Sequence, residues 1–176
     1  MKKVEVRISG LGGQGVVFAG QILGRAAAYD GKNVVQTQSY GAEARGGAAK
    51  SEVIISEGKI GFPAVRECDI LIAMNQEALD RHFKDLKKDG VLIIDSTYLN
   101  KIPRTKAKIF KVPATEIAEK TFGAKIYANM FMLGALMKIT NIVSEKAIER
   151  AIEDTIGEKA ADINRQAYKK GRELIQ

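Results

Sequence analysis

Two kinds of hydrophobic pattern alternate along the first two thirds of the chain. Val4, Val6 and Ile8 alternate with Glu5 and Arg7, which predicts a short strand over 4–8 buried more on one face than the other. From Val16, apolar residues recur at Ala19, Ile22, Leu23, Ala26 and Ala27, a helical spacing that runs to about Ala28. Asp30-Gly31-Lys32 closes that helix, with Gly31 suited to the residue just past its end. Strands follow at 33–38 and 51–56. Two continuous apolar runs, Asp69–Met74 and Val91–Asp95, read as strands buried on both faces, separated by a helix over roughly 76–87. A last strand spans 107–112 and stops at Pro113. Beyond it the pattern is helical, over about 114–121, 126–139, 144–155 and 158–172, with Ser144 as an N-cap.

Strands alternating with helices predict an α/β fold, a Rossmann-like three-layer domain with a mostly parallel sheet and a helical C-terminal third. The first strand–helix–strand unit predicts a parallel pair joined by a right-handed crossover. With 176 residues and no linker or repeat, residues 1–176 read as one domain. The segment Asn129–Met137 is apolar almost all round, the character of a core helix or of a surface that packs on a partner chain.

Between the first strand and the first helix lies Gly10-Leu11-Gly12-Gly13-Gln14-Gly15. Its glycines at 10, 12 and 15 fit the spacing of a dinucleotide- or phosphate-binding turn. Glycines let the backbone turn sharply and let a ligand approach, and the helix behind presents free N–H groups. A dinucleotide fold also needs an acidic residue at the end of the second strand, for the ribose hydroxyls. Gln36, Gln38 and Ser39 stand there, and Asp30 precedes the strand. The fold signal survives while the nicotinamide-dinucleotide signal weakens.

A second glycine-rich loop, Ser39–Lys50, separates two strands and is long for a compact domain, which favours a functional loop. Arg45 beside Gly46 and Gly47 offers a guanidinium and free N–H groups to an anion. Asn75 and Asp95 fall at the carboxyl ends of predicted strands, where open α/β sheets bind ligands, although capping a turn or helix is the commoner duty of these residue types.

Composition narrows the chemistry. The net charge of +7 permits a phosphate-rich or acidic partner, but the basic residues are spread out and aromatics are 6%, which argues against nucleic acid. Cys68 is the sole cysteine, so no disulfide within the chain, cysteine zinc site or chain-held iron–sulfur cluster is possible. His82 is the sole histidine and sits in a helical run, where a solvated surface position is expected and a catalytic triad is not. Met1-Lys2-Lys3 leads straight into a strand, and no apolar run reaches the roughly 18 residues of a membrane span. A cytoplasmic location away from membranes is therefore expected.

Together these motifs carry a family resemblance. Gly10-x-Gly12-Gly13-Gln14-Gly15, then Gln38-Ser39-Tyr40-Gly41-x-Glu43-x-Arg45-Gly46-Gly47, then Lys50-x-Glu52-Val53 resembles the γ subunit, or γ domain, of the 2-oxoacid:ferredoxin oxidoreductases. The resemblance covers essentially the whole chain and looks closest to the 2-oxoglutarate and branched-chain 2-oxoacid types. It implies a complex that oxidatively decarboxylates a 2-oxoacid with coenzyme A, giving an acyl-CoA and CO2 and reducing ferredoxin. Thiamine diphosphate, magnesium and 4Fe-4S clusters would belong to other subunits, and this chain alone would bind no cofactor and be inert. The implied partners are thiamine-binding, α-type and ferredoxin-like chains, with a homodimer open to the isolated chain. The implied site residues are Gly10, Gly12, Gly13, Gln14, Gly15, Tyr40, Glu43, Arg45, Gly46, Gly47 and Lys50, with Arg45 and Lys50 facing phosphates or a carboxylate. Two other readings stay open: a stand-alone NAD(P)-binding protein and a purely structural scaffold.

Overall fold

The computed structural model describes residues 3–42 and 46–176. Among them, six strands form one sheet in the order β2-β3-β1-β4-β5-β6. These are β1 (Lys3–Leu11), β2 (Asn33–Tyr40), β3 (Ala48–Ser56), β4 (Cys68–Ala73), β5 (Leu86–Asp95) and β6 (Lys108–Val112). The helices are α1 (Val16–Tyr29), α2 (Gln76–His82), α3 (Ala114–Phe122), α4 (Ala128–Thr140), α5 (Glu145–Ile156) and α6 (Glu158–Glu173). Pairing is parallel through β1-β4-β5-β6, while β3 runs antiparallel to both β1 and β2. Five strands thus point one way, and the expected mostly parallel α/β sheet holds.

The first pair differs from expectation. β1 and β2 run in the same direction, but β3 lies between them. The crossover rule fixes direction and hand, not adjacency. Burial decides the neighbour. β3 carries Val53, Ile54 and Ile55, all at most 1% exposed, and needs neighbours on both sides. β2, with Gln36, Thr37, Gln38 and Ser39, tolerates the edge.

One face of the sheet is covered by α1 and the C-terminal helices, packed on Val6, Ile8, Val53, Ile55, Ile70 and Ile72. α4 crosses α6 where Gly134 and Gly171 face each other's helix. A side chain on Gly134 would overlap the Tyr168 carbonyl, and one on Gly171 the Phe131 carbonyl. Backbones this close leave no room for a Cβ, so α4 is enclosed from Ala128 to Met137. The other face is covered by α2 and long loops over Ile54, Leu71, Leu92 and Ile94.

That second face corrects three expectations. The polar side of β1 is buried too: Glu5, Arg7 and Ser9 are 8%, 3% and 2% exposed. The helix expected over 76–87 ends at His82, followed by a 3-10 turn at Phe83–Asp85, and β5 begins at Leu86. That turn brings Asp85 onto Arg7, Oδ2 to Nη1 at 2.6 Å, and Arg7 also binds Glu52 Oε2 at 3.0 Å and the Val65 carbonyl at 3.1 Å. Burial works against the Arg7 charge, but Glu52 and Asp85 outweigh it and raise the guanidinium above its ordinary range. His82 is not on a solvated face. It lies against Arg7 (Nδ1 to Nη1, 3.4 Å), and burial together with Arg7 and Lys50 pushes its pKa down to about 4. The lone thiol of Cys68 is buried and pushed up to about 12, so it is inert in the folded chain.

Candidate functional site

The glycine turn stands at the carboxyl end of β1, and each part of it has a physical reason. A side chain on Gly10 would press on Gln14 Oε1 at 2.5 Å and on Met74 Cβ and Val16 Cγ1 at 3.0 Å, so Gly10 permits packing beneath the turn. Gly13 has φ 92° and nothing near the place of a Cβ, so its backbone is open to a ligand. Gln14 closes the turn. Its Oε1 accepts from the Leu11 N–H (2.7 Å) and its Nε2 donates to the Met74 carbonyl at the end of β4 (3.3 Å). Gly15, at φ 74°, is the N-cap of α1, and no side-chain hydrogen bond caps that helix start. The N–H groups and positive dipole end of α1 therefore remain for other acceptors.

The two glycine loops meet. The Gly12 N–H donates to the Gly47 carbonyl at 2.7 Å, and the Gly41 N–H donates to the Ala48 carbonyl at 2.6 Å. Tyr40, at the end of β2, is 65% exposed, and Gly46 adopts φ 67°. Lys50 is brought alongside, but its ammonium already pairs with Glu52 Oε1 at 3.1 Å. Glu43 and Arg45 lie outside the described residues.

Hollows flank the turn on both sides. A cavity of about 650 Å³ opens between it, the start of α2 and the segment before α4, lined by Gly12, Gly13, Gln76, Tyr98, Lys125 and Ile126 among others. A groove of about 410 Å³ on the other flank runs along Val16–Phe18 to Gln38 and Tyr40. A smaller hollow of about 230 Å³ is lined by Tyr40, Lys50, Arg81 and His82. This is the edge where open α/β sheets take ligands.

Most polar side chains around the large cavity are already committed. Asn75 caps α2 by accepting from the Ala78 N–H at 2.7 Å. Fully buried Asp95 accepts from the Thr115 hydroxyl at 2.5 Å and from the Thr97 and Thr115 N–H groups. Gln76 holds the 100–101 backbone at 2.8–3.4 Å. Lys125 is exposed and makes no ion pair with another described residue, which leaves it, Tyr98 and the Gly13 backbone to meet a ligand.

The sequence reading missed Tyr98, in a turn after β5, and Lys125 and Ile126, in a short 3-10 helix at 125–127, none of them part of a motif. It also missed Asn129. Its Nδ2 donates to the Gly15 carbonyl at 3.3 Å, and a side chain on Gly15 would overlap it. A polar side chain inside an otherwise apolar helix was the available signal, because a buried amide needs partners.

A nicotinamide dinucleotide is disfavoured by topology as well as by chemistry. With β3 interposed, the β2 backbone stands two strand spacings, about 10 Å, from β1. In the dinucleotide fold the acidic ribose-binding residue sits on the strand next to the first. No group of three or more His, Cys, Asp or Glu suited to a metal occurs among the described residues, and no described helix is long and apolar enough to cross a membrane.

Comparison with known proteins agrees with this geometry. The family described as "Pyruvate ferredoxin/flavodoxin oxidoreductase" matches residues 5–174. The 2-oxoglutarate synthase subunit KorC of Methanocaldococcus jannaschii is 48% identical over 175 residues, covering 98% of this chain and 94% of that one. The crystal structure of the keto/oxoacid ferredoxin oxidoreductase γ subunit from Geobacter sulfurreducens PCA superposes with a TM-score of 0.86 at 44% identity, covering 97% of each chain. A 2-oxoglutarate:ferredoxin oxidoreductase from Magnetococcus marinus, solved with 2-oxoglutarate, coenzyme A and succinyl-CoA bound, superposes with a TM-score of 0.88 at 26% identity. It covers 99% of this chain but 31% of that longer one. A match over nearly the full sequence and the same fold at high identity lead to one conclusion: the chain belongs to the pyruvate ferredoxin/flavodoxin oxidoreductase family.

Proposed function

We propose that the chain is the γ-type subunit of a 2-oxoacid:ferredoxin oxidoreductase, with 2-oxoglutarate the favoured oxoacid. The observation that carries this is the 48% identity, over almost all of both chains, to a 2-oxoglutarate synthase subunit. The match to about a third of a longer oxidoreductase chain supports a module that works joined to others. The complex decarboxylates the oxoacid, passes two electrons to ferredoxin and transfers the acyl group to coenzyme A.

The residues of this chain do not suit the redox groups. Cys68 is alone and buried, and no described cluster of acidic or histidine side chains offers a metal site. Thiamine diphosphate, magnesium and the 4Fe-4S clusters therefore fall to thiamine-binding, α-type and ferredoxin-like partner chains in the same compartment, the cytoplasm. What this chain supplies is a wall. Gly13 and the start of α1 present backbone N–H groups, while Gly10, Gly12, Gln14 and Gly15 hold that backbone in place. Tyr40 at the end of β2, Gly46, Gly47 and Lys50 on β3 border that wall, and in this reading Glu43 and Arg45 belong to the same site. A cavity of about 650 Å³ is the size that takes one end of a large cofactor, and coenzyme A is the ligand it fits in this reading.

The test is co-expression with the candidate thiamine-binding and cluster-binding chains. Purified together, the complex should reduce ferredoxin only when 2-oxoglutarate and coenzyme A are both present, and leaving out this chain should abolish turnover. A chain that purifies alone, or a complex fully active without it, refutes the reading. Gly13→Val and Arg45→Ala in the complex separate a ligand-binding wall from a scaffold, since unchanged coenzyme A dependence in both favours the scaffold.

A further inference from the structure

The two edges of the sheet are built differently. β6 is five residues long and carries exposed Lys108 and Lys111, the lysine guard that keeps an edge strand from pairing with another chain. β2 is eight residues long, Asn33–Tyr40, with no charge and no proline, and it pairs with β3 in unbroken register from Asn33↔Ser56 to Tyr40↔Ala49. No bulge twists it away, and no other described strand pairs with its outer side. Thr37, Gln38, Ser39 and Tyr40 are all exposed, Tyr40 at 65%. A long, unbulged, uncharged edge left open is an invitation to strand addition.

The sequence of β2 says what is added. A two-fold axis perpendicular to a sheet can pair a residue with itself across an antiparallel contact, and facing residues then share a face of the sheet. Centred on Thr37, that register sets Gln36 opposite the partner's Gln38, and Val34 opposite the partner's Tyr40. On the other face Thr37 meets itself and Val35 meets Ser39. Gln36 stacks amide against amide while keeping its bond to Ser51 Oγ, Thr37 sets hydroxyl against hydroxyl, and half-buried Val34 lies under an otherwise exposed ring; Val35 opposite Ser39 is the one unmatched pair. Self-complementarity is a requirement of a contact between identical chains and not of a contact with a different one. Charge points the same way. Each chain carries +7, and an axis through an uncharged strand keeps like charges apart.

We infer that β2 is a homodimerisation edge, where two copies of this chain join antiparallel about Thr37 and extend the sheet from six strands to twelve. The contact shares Tyr40 with the proposed ligand wall and is tested by mass and cross-linking, apart from turnover. It places the exposed Tyr40 ring beneath a second chain's Val34 and leaves the cavity on the α2 side of the glycine turn open.

The test is sedimentation equilibrium of the full chain. The unmodified protein should run at twice the chain mass, Thr37→Lys at the mass of one chain, and Ile109→Lys on the opposite edge unchanged. Thermal melts of the two variants confirm folding. Thr37→Cys supplies the positional check, because only a residue on the axis faces its own copy. With diamide as the oxidant, which takes up the two thiol protons and two electrons, Thr37→Cys should form an interchain disulfide under conditions where Ser39→Cys does not. Cys68 stays silent because it is buried. A monomeric unmodified chain overturns the inference, including one in which Thr37→Lys blocks assembly with other subunits. Equal cross-linking at 37 and 39, or a dimer that survives Thr37→Lys, overturns it as well.

Discussion

The side-chain amide of Asn129 donates to the carbonyl of Gly15, 114 positions earlier, at 3.3 Å. A residue from the C-terminal third of the chain thereby holds the N-terminus of α1 and the glycine turn. The same amide fills the space where a side chain on residue 15 would stand.

Gly15→Ala is expected to be strongly destabilising, for two separable reasons. The left-handed backbone at φ 74° costs a non-glycine residue about 1–2 kcal/mol. Overlap with Asn129 adds a packing term of about 1–3 kcal/mol. Asn129→Ala alone loses the hydrogen bond, about 0.5–1.5 kcal/mol, since the Gly15 carbonyl keeps the Ala19 N–H. In the double variant the overlap is gone, so urea denaturation should show a loss clearly smaller than the sum of the single losses.

Arg7 is the keystone of the second face, held by Glu52, Asp85 and the Val65 carbonyl at 3% exposure. Arg7→Ala takes the guanidinium from Asp85 and from one oxygen of the nearly buried Glu52, which keeps only Lys50, and should cost about 3 kcal/mol. Arg7→Met combined with Glu52→Gln should be much milder, because the principal uncompensated charge is removed with its partner. The midpoint of urea unfolding reads both.

His82 makes stability depend on pH. Its folded pKa is pushed down to about 4, against an ordinary value of 6.5. Between those values the unfolded chain binds a proton that the folded chain refuses, so unfolding becomes easier as pH falls. The contribution is complete above about pH 6.5 and lost progressively down to about pH 4, on the order of 2–3 kcal/mol in all. His82→Gln should flatten the part of the stability–pH curve that lies between pH 6.5 and 5, measured by melts in buffers of constant ionic strength.

The α4–α6 crossing should be intolerant of added volume. A methyl at Gly134 or Gly171 meets backbone carbonyls of the opposite helix, which cannot swing aside as a side chain can. Gly134→Ala and Gly171→Ala should each cost about 1–3 kcal/mol or more. By contrast Gly123→Asn, in a left-handed position with nothing near its Cβ, should cost well under 1 kcal/mol. Differential scanning calorimetry of the three variants orders them.

The elements were legible because their causes are local. Apolar periodicity set the α4, α5 and α6 boundaries to within two residues, and Ser144, Asn75 and Asp95 cap and brace as their residue types suggest. The α2 end was misplaced because Phe83–Asp85 tightens to bring Asp85 under Arg7, a contact between residues 78 apart. The glycine turn and its partner loop were legible as a pair. Their junction at Gly12 and Gly47, the Asn129 anchor and the cavity wall at Tyr98 and Lys125 were not.

The sequence by itself determined the α/β class, the mostly parallel sheet, the two glycine loops and the family, since these rest on periodicity, on residues that tolerate unusual backbone, and on motif spacing. Only the tertiary structure decided that β3 separates β1 from β2, that Arg7 and His82 are enclosed, and that α4 holds the glycine turn. The physical reason is the same in each case. Neighbour choice and burial depend on which surfaces distant segments can cover for one another, and that is a property of the packed chain rather than of any window along it.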